Sequence, residues 1–295
     1  MKISASLTNF SWTHPATDGM ADRLIGAAEA ADSAGLDTLW VADHLMQADP
    51  TSSDDEPMLE AYTTLGYLAA RTARVRLGTM VSAATFRSPA LLIKAVTTLD
   101  VLSGGRAWLG LGAGYQQNEA TAMGLELPPV GERFAALTDI LELARQMWAG
   151  DDSAFEGRTM RAERPISSPP PATRPHPPIL IGGTGKQRTL RLVAEYADAC
   201  NVFDIPDGGT AVRGQLDVLA EHCATVGRDY DTIDRTISTA IDEDEPVDSV
   251  VERFAHLAEL GITHVITIAR GRPLTETDMT TLGAAAAQLR TVATP

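Results

Sequence analysis

Several things are scarce in this 295-residue chain. Cys200 and Cys223 are the only cysteines, too few for a disulfide framework and not spaced as a CxxC pair. Lysine occurs three times, at Lys2, Lys94 and Lys186. No run of Lys and Arg interrupts a formal net charge of -15, so a phosphate backbone would be repelled and nucleic acid is not an expected partner. No stretch of ~18 apolar residues is present, so no membrane span is expected. Met1-Lys2-Ile3-Ser4 lacks the charged and apolar regions of a signal peptide, and the expected location is cytoplasmic. His, Cys, Asp and Glu do not fall at metal-ligand spacing, so no metal site is expected. A GxSxG nucleophile elbow, a Walker A loop and a dinucleotide fingerprint near the first strand are all missing.

What is present is a regular alternation. Apolar or alternating runs at Lys2–Leu7, around Trp40, at Val75–Ser82, Arg106–Gly112, Pro178–Ile181, Ala197–Phe203, Arg235–Ile241 and Thr263–Ala269 read as eight strands. Helical patterns separate them: Asp18–Ala34, Pro57–Ala73, Pro89–Leu102, Glu132–Trp148, then segments ending near Tyr196 and Val226, one after Pro246, and Asp278–Val292. Strand–helix alternation predicts a parallel sheet with right-handed crossovers. Eight units predict a single α/β domain over 1–295, a closed TIM-type (β/α)8 barrel, with a doubly wound open sheet as the alternative. Six prolines between Pro165 and Pro177 make 151–177 an extended, proline-rich insertion after the fourth helix.

Chemistry is expected where strands end, because the carboxyl rim of such a barrel carries the active site. Thr38-Leu39-Trp40-Val41-Ala42 runs straight into Asp43 and His44. His44 is the candidate catalytic residue, since imidazole titrates near neutrality and can give or take a proton. The competing reading makes Asp43 a loop cap and His44 structural. His14 could touch substrate from the first loop. His264, at the start of the eighth strand, falls on the stability face. Gly182-Gly183-Thr184-Gly185-Lys186-Gln187-Arg188 joins a strand to a helix and reads either as a plain tight turn or as a phosphate cradle, with Lys186 and Arg188 adding charge. Gly110-Leu111-Gly112-Ala113-Gly114 reads either as small-residue packing or as room for a flat ligand. Gln116, Gln117, Asn118 and Glu119 follow, as pocket lining or the start of a helix.

Taken together, Trp40-Val41-Ala42-Asp43-His44, Val75-Arg76-Leu77-Gly78-Thr79 with Arg87-Ser88-Pro89, Leu102-Ser103-Gly104-Gly105-Arg106, Gly110 to Gly114, Glu132-Arg133-Phe134, Pro178 to Gly183 and Tyr196-Ala197-Asp198 resemble the luciferase-like flavin and deazaflavin oxidoreductases. The resemblance covers nearly the whole chain and is strongest to the coenzyme F420-dependent branch. It implies a deazaflavin at the carboxyl end of the strands, with Asp43 and His44 beside its reactive ring. Met80 and Val81 match a bulge that carries a non-proline cis peptide in the family. Ala113, Gly114 and Asn118 match strand-four cofactor contacts. Gly182, Gly183, Thr184, Gly185, Lys186 and Arg188 match the phosphate site. The implied reaction passes a hydride between deazaflavin C5 and a small organic substrate, with His44 handling the proton. The loops 49–57 and 151–177 are expected to cover the site.

Two departures bear on the substrate. Tyr115 stands where the family's sugar-phosphate dehydrogenases place an acidic residue, and Met46, Gln47 and Ala48 stand where they place a tryptophan. Both point away from a sugar phosphate. The alternative is an FMN-dependent monooxygenase using reduced flavin and oxygen. A cofactor-binding protein without turnover and a non-redox barrel lyase are further readings. Luciferase-like barrels are often dimers, which leaves a homodimer open.

Overall fold

The computed structural model describes residues 1–12 and 18–292; His14 lies outside the described residues. The chain begins with β1 (Lys2–Leu7), α1 (Met20–Ser33), β2 (Thr38–Val41) and α2 (Ala61–Ala69). Next come β3 (Arg76–Thr79), β4 (Ser82–Ala83), α3 (Pro89–Ser103), β5 (Leu109–Gly112), α4 (Gln117–Ala122) and α5 (Val130–Trp148). A small hairpin, β6 (Phe155–Glu156) with β7 (Arg161–Ala162), precedes β8 (Ile179–Gly182), α6 (Thr189–Tyr196), β9 (Ala199–Phe203) and α7 (Thr210–Val226). The chain ends with β10 (Asp234–Ala240), α8 (Val247–Glu259), β11 (His264–Ile268) and α9 (Glu276–Val292).

The main sheet is parallel, in the order β3-β2-β1-β11-β10-β9-β8-β5-β4. Its two ends, β3 and β4, are consecutive pieces of one strand. β4 pairs with β5, and Leu77 of β3 exchanges bonds with Arg106 and Trp108 just before β5 (2.8 Å each). The sheet thereby closes on itself as the expected eight-stranded barrel. The third strand breaks between Thr79 and Ser82, where the Met80–Val81 peptide is cis.

The helices cover the sheet with their apolar stripes. In α1 the buried residues are Leu24, Ala27, Ala28 and Ala31, the spacing of one helical face, and Gly35 beyond it takes φ +71°. The barrel interior holds Trp40 against Trp108, ring centroids 5.5 Å apart, with Leu180 and Ile266 beside them. Gly78 makes that pair possible. A Cβ there would stand 2.7 Å from Trp108 Cβ and 2.9 Å from Trp40 Cζ3. Gly110 has a similar role, since its Cβ would meet the Thr79 carbonyl at 1.8 Å.

Some local expectations need correction. Pro57 does not open α2, which starts at Ala61. The Glu60 carboxylate caps it, accepting from Tyr62 N and Thr63 N, and so satisfies the free N–H groups of its first turn. Residues 151–177 contain no helix, as expected, and none of them is on the wall of the cavity at the barrel's carboxyl end. Asp139 of α5 accepts from Arg158 N, Thr159 N and Thr159 Oγ1, and Asp100 of α3 accepts from Thr173 N and Oγ1. These buried carboxylates tie the segment to the outside of α3 and α5.

At the amino end of the barrel, His264 is buried, with Nε2 2.5 Å from Ser4 Oγ. Burial pushes its pKa down to about 4; Asp37 and Asp234 oppose that shift, while Lys2 and Arg76 add to it. The folded form holds this ring neutral, whereas the unfolded chain protonates it near the usual 6.5. The unfolded state therefore binds more protons between those values, and stability falls as pH drops from about 6.5 to about 4. The expected loss is about 3 kcal/mol from this residue. Urea unfolding midpoints at pH 7 and pH 5 check it: His264→Gln should flatten the difference, and an unchanged pH slope would refute the assignment.

Candidate active site

Above the tryptophan layer, at the carboxyl ends of the strands, lies a cavity of about 680 Å³. That is ample for a cofactor-sized ligand. Much of its wall is apolar, built from Met80, Val81, Phe86, Phe134, Leu137 and Ile268. The polar groups are few and come from particular strand ends.

His44 stands on this wall. Its Nδ1 lies 2.9 Å from Glu119 Oε2. Glu119 Oε1 accepts from the backbone N–H groups of Leu45 and Met46, the residues that follow His44. Glu119 is buried. Burial alone would raise its pKa, but the bonds from His44, Leu45 and Met46 outweigh it and hold the carboxyl below its usual range. An ionised carboxylate can only accept, so His44 carries its proton on Nδ1 when neutral, and Nε2 is left for the cavity. The Tyr115 ring meets His44 edge-on, 6.1 Å between centroids.

Asp43 also touches the cavity, but its carboxylate is occupied. Its side chain is fully buried and accepts from Ser82 Oγ (2.5 Å), Arg87 Nη1 (2.5 Å) and Arg87 Nη2 (3.0 Å). Arg87 also reaches Glu60, the cap of α2, and lies over the Tyr62 ring. Burial and the nearby Asp43 charge push the Tyr62 hydroxyl up to about 12. Asp43 thus anchors the β2 end, and His44, one residue on, is the group presented to the cavity.

The small-residue strand β5 is tightly packed and its end also reaches the cavity. Gly110 and Gly112 are needed for packing, the latter because a Cβ would stand 2.8 Å from Val81 Cγ2. Gly112, Ala113 and Gly114 nonetheless line the cavity, as do Met80 and Val81 from the strand break. Gly182 and Gly183 line it too, with Thr189 at the start of α6. The rest of the expected phosphate loop lies elsewhere. Thr184, Gly185, Lys186 and Arg188 are not on the wall; α6 begins only at Thr189, and Gly185, Lys186 and Arg188 in the turn before it are exposed. The Lys186 carbonyl accepts from His222 Nε2 (2.8 Å), and the Arg188 guanidinium lies over the ring of Phe134, a wall residue. Asn118 is exposed on α4, while Glu119 points inward, since successive helical residues are rotated by ~100°. The loops 49–57 and 151–177 contribute no lining residue among those described.

Other wall residues were not among the sequence candidates. Arg133, one turn into α5, donates to the Gly114 carbonyl, and its Nε is buried with no partner among the described residues. It is the one Arg or Lys on the described wall. Ser6, Asn201 and Ser238 also line it, from β1, β9 and β10, with Asn201 next to Gly182 in the sheet. A signal for Asn201 was available: an amide in the middle of the buried run Ala199-Cys200-Asn201-Val202 is costly unless satisfied. Thr236 Oγ1 and Ser238 Oγ satisfy it.

Comparison with known proteins agrees with this geometry. Residues 1–259 match the model of the luciferase-like monooxygenase family. An F420-dependent glucose-6-phosphate dehydrogenase of Kineococcus radiotolerans is 33% identical over 250 residues, 82% of this chain and 70% of that protein. A monooxygenase from Streptomyces bottropensis superposes with a TM-score of 0.80 at 19% identity, covering 99% of this chain and 100% of that one. An F420-dependent secondary alcohol dehydrogenase, solved with an F420–acetone adduct, superposes with a TM-score of 0.79 at 16% identity, covering 98% of this chain and 99% of that one. A closed parallel barrel, a histidine at the β2 end facing a large cavity and a family model spanning most of the sequence lead to one assignment: this chain belongs to the luciferase-like monooxygenase family.

Proposed function

We propose that this chain is an F420-dependent oxidoreductase acting on a small organic substrate, with His44 Nε2 giving or taking the proton. The observation that carries the reading is the His44–Glu119 pair on the wall of a cavity large enough for a deazaflavin. When bound, F420 supplies a hydride donor or acceptor at its C5 carbon. The residues present suit such a group. Arg133 Nε is a buried donor without a partner among the described residues, on a wall it shares with Gly114, Gly183 and Thr189, and suits a phosphate. Met80, Val81 and Ala113 offer an apolar wall to a flat ring system.

The chain's own contribution is positional. Glu119 fixes the imidazole and its tautomer, so that Nε2 is the base toward the cavity. The Asp43–Arg87 pair holds the strand end that presents it. Phe86, Phe134 and Leu137 limit water around the site.

Equilibrium titration with F420 and with FMN, followed by quenching of tryptophan fluorescence, tests the reading. F420 should bind at least about tenfold tighter, a difference of ~1.4 kcal/mol. The reverse preference would favour an FMN-dependent monooxygenase, the second reading, which the family description supports. Failure of both to bind would refute the cofactor site.

A further inference from the structure

We propose that the substrate is uncharged: a small molecule carrying one hydroxyl or carbonyl oxygen on an otherwise apolar body. The inference rests on the cofactor reading above and names the substrate class for that same site. It differs from the phosphorylated sugar in the name of the K. radiotolerans relative.

The argument starts from charge. Among the described residues on the cavity wall, Arg133 is the one guanidinium, and no lysine is present. The undescribed stretch 13–17 reads Thr-His-Pro-Ala-Thr and holds no Lys or Arg either. Arg133 adjoins Gly114 and Phe134, on the side of the cavity where Gly183 and Thr189 stand, and the cofactor's phosphate claims it. A second phosphate would have to shed water with no cation to receive it. It would also share the cavity with Glu119, which is ionised. Lys186 and Arg188 stand in the exposed turn before α6 and are not on the wall, Arg188 lying over the Phe134 ring.

The strand ends from β9 round to β1 have the complementary character. Ser6 is 1% exposed, lines the cavity, and its Oγ has no partner among the described residues. A buried hydroxyl without a partner is costly, and a ligand oxygen would satisfy it. Asn201 and Ser238, further round the same wall, are neutral and bonded to each other (3.0 Å). Phe203 and Ile268, from β9 and β11, add apolar surface there. A buried hydroxyl without a partner, among neutral and apolar neighbours, recognises a neutral oxygen; a dianion finds no cation there.

The test uses the full chain with F420 bound, its F420 affinity measured first. Cyclohexanol, cyclohexanone and glucose 6-phosphate are then titrated, with quenching of cofactor fluorescence and heat of binding as readouts. The neutral pair should saturate, and glucose 6-phosphate should bind at least about tenfold more weakly. Ser6→Ala should weaken the neutral ligands about fivefold and leave F420 affinity within about twofold. Phe203→Lys, which places a cation at the rim, should bring glucose 6-phosphate into range. Glucose 6-phosphate binding as tightly as the neutral ligands would overturn the inference with the cofactor reading intact. So would failure of both neutral ligands to bind. Loss of F420 binding itself would instead overturn the cofactor reading, and the first titration separates the two.

Discussion

Substituting His44→Gln is expected to lower turnover by about 10²–10⁴-fold, the usual contribution of a positioned acid–base group, with cofactor affinity changed little. The amide keeps the shape and can still accept from or donate to neighbours, but it cannot carry a proton between pH 5 and 9. Glu119→Gln should have a smaller and different effect. It removes the charge that holds Nδ1–H toward the loop, and the new amide can donate to Nδ1 as well as accept from it. The second tautomer, with the proton on Nε2, then becomes available, so the pH profile of kcat should move as well as its height. Single-turnover rates with reduced F420 and a neutral ketone, paired with F420 titrations of each variant, separate chemistry from binding. A His44→Gln protein that turns over within about threefold of the parent would remove His44 from the reaction.

The largest stability effect is expected at Arg87. Its guanidinium holds the Asp43 carboxylate by two bonds, and that side chain has no exposure at all. Arg87→Met leaves a buried charge with only the Ser82 hydroxyl for company. Breaking such a pair costs about 3–5 kcal/mol. For a domain of this size that is a fall in Tm on the order of 10 °C. The same change frees Glu60, whose carboxylate caps α2, so the loss should extend into that helix. The double variant Asp43→Asn with Arg87→Met should recover more than half of the stability, because the uncompensated charge is then gone. Calorimetric Tm values for the parent, the single and the double variant decide this. A single variant within about 1 kcal/mol of the parent would show that Asp43 finds another partner or takes up a proton.

These two residues also show how differently parts of the site could be read from the chain. The barrel was legible because it depends on repetition. Eight apolar runs separated by helical stripes leave few topologies, and a local error such as placing the start of α2 at Pro57 does not change the register of the sheet. His44 was legible because a strand end in such a fold points at one rim. Gly114, Gly182 and Gly183 lie at strand ends read in the same way, while Met80, Val81 and Ala113 were pointed to by the family resemblance; all six are on the cavity wall.

Side-chain direction beyond the strand ends was not legible. Lys186 and Arg188 looked like the phosphate ligands because they follow a glycine-rich turn. Where a helix begins by three residues decides whether they face a ligand or solvent, and α6 begins at Thr189. Asn118 and Glu119 are neighbours in sequence, yet one rotation of ~100° puts only the second against His44. Arg133 lies far along the chain from both glycine-rich segments, and α5 brings it to the Gly114 carbonyl.

The sequence by itself therefore determined the fold class, the rim and the histidine, because hydrophobic periodicity and strand termination act over a few residues at a time. Only the tertiary structure decided the partners. It assigned Asp43 to Arg87 and Glu119 to His44, and it left Arg133 and Ser6 as the unsatisfied groups of the cavity. The physical reason is that hydrogen-bond satisfaction in a low-dielectric interior is settled between residues 40 to 75 apart in sequence, by how helices and strands are rotated against one another, and no local pattern in the chain records that rotation.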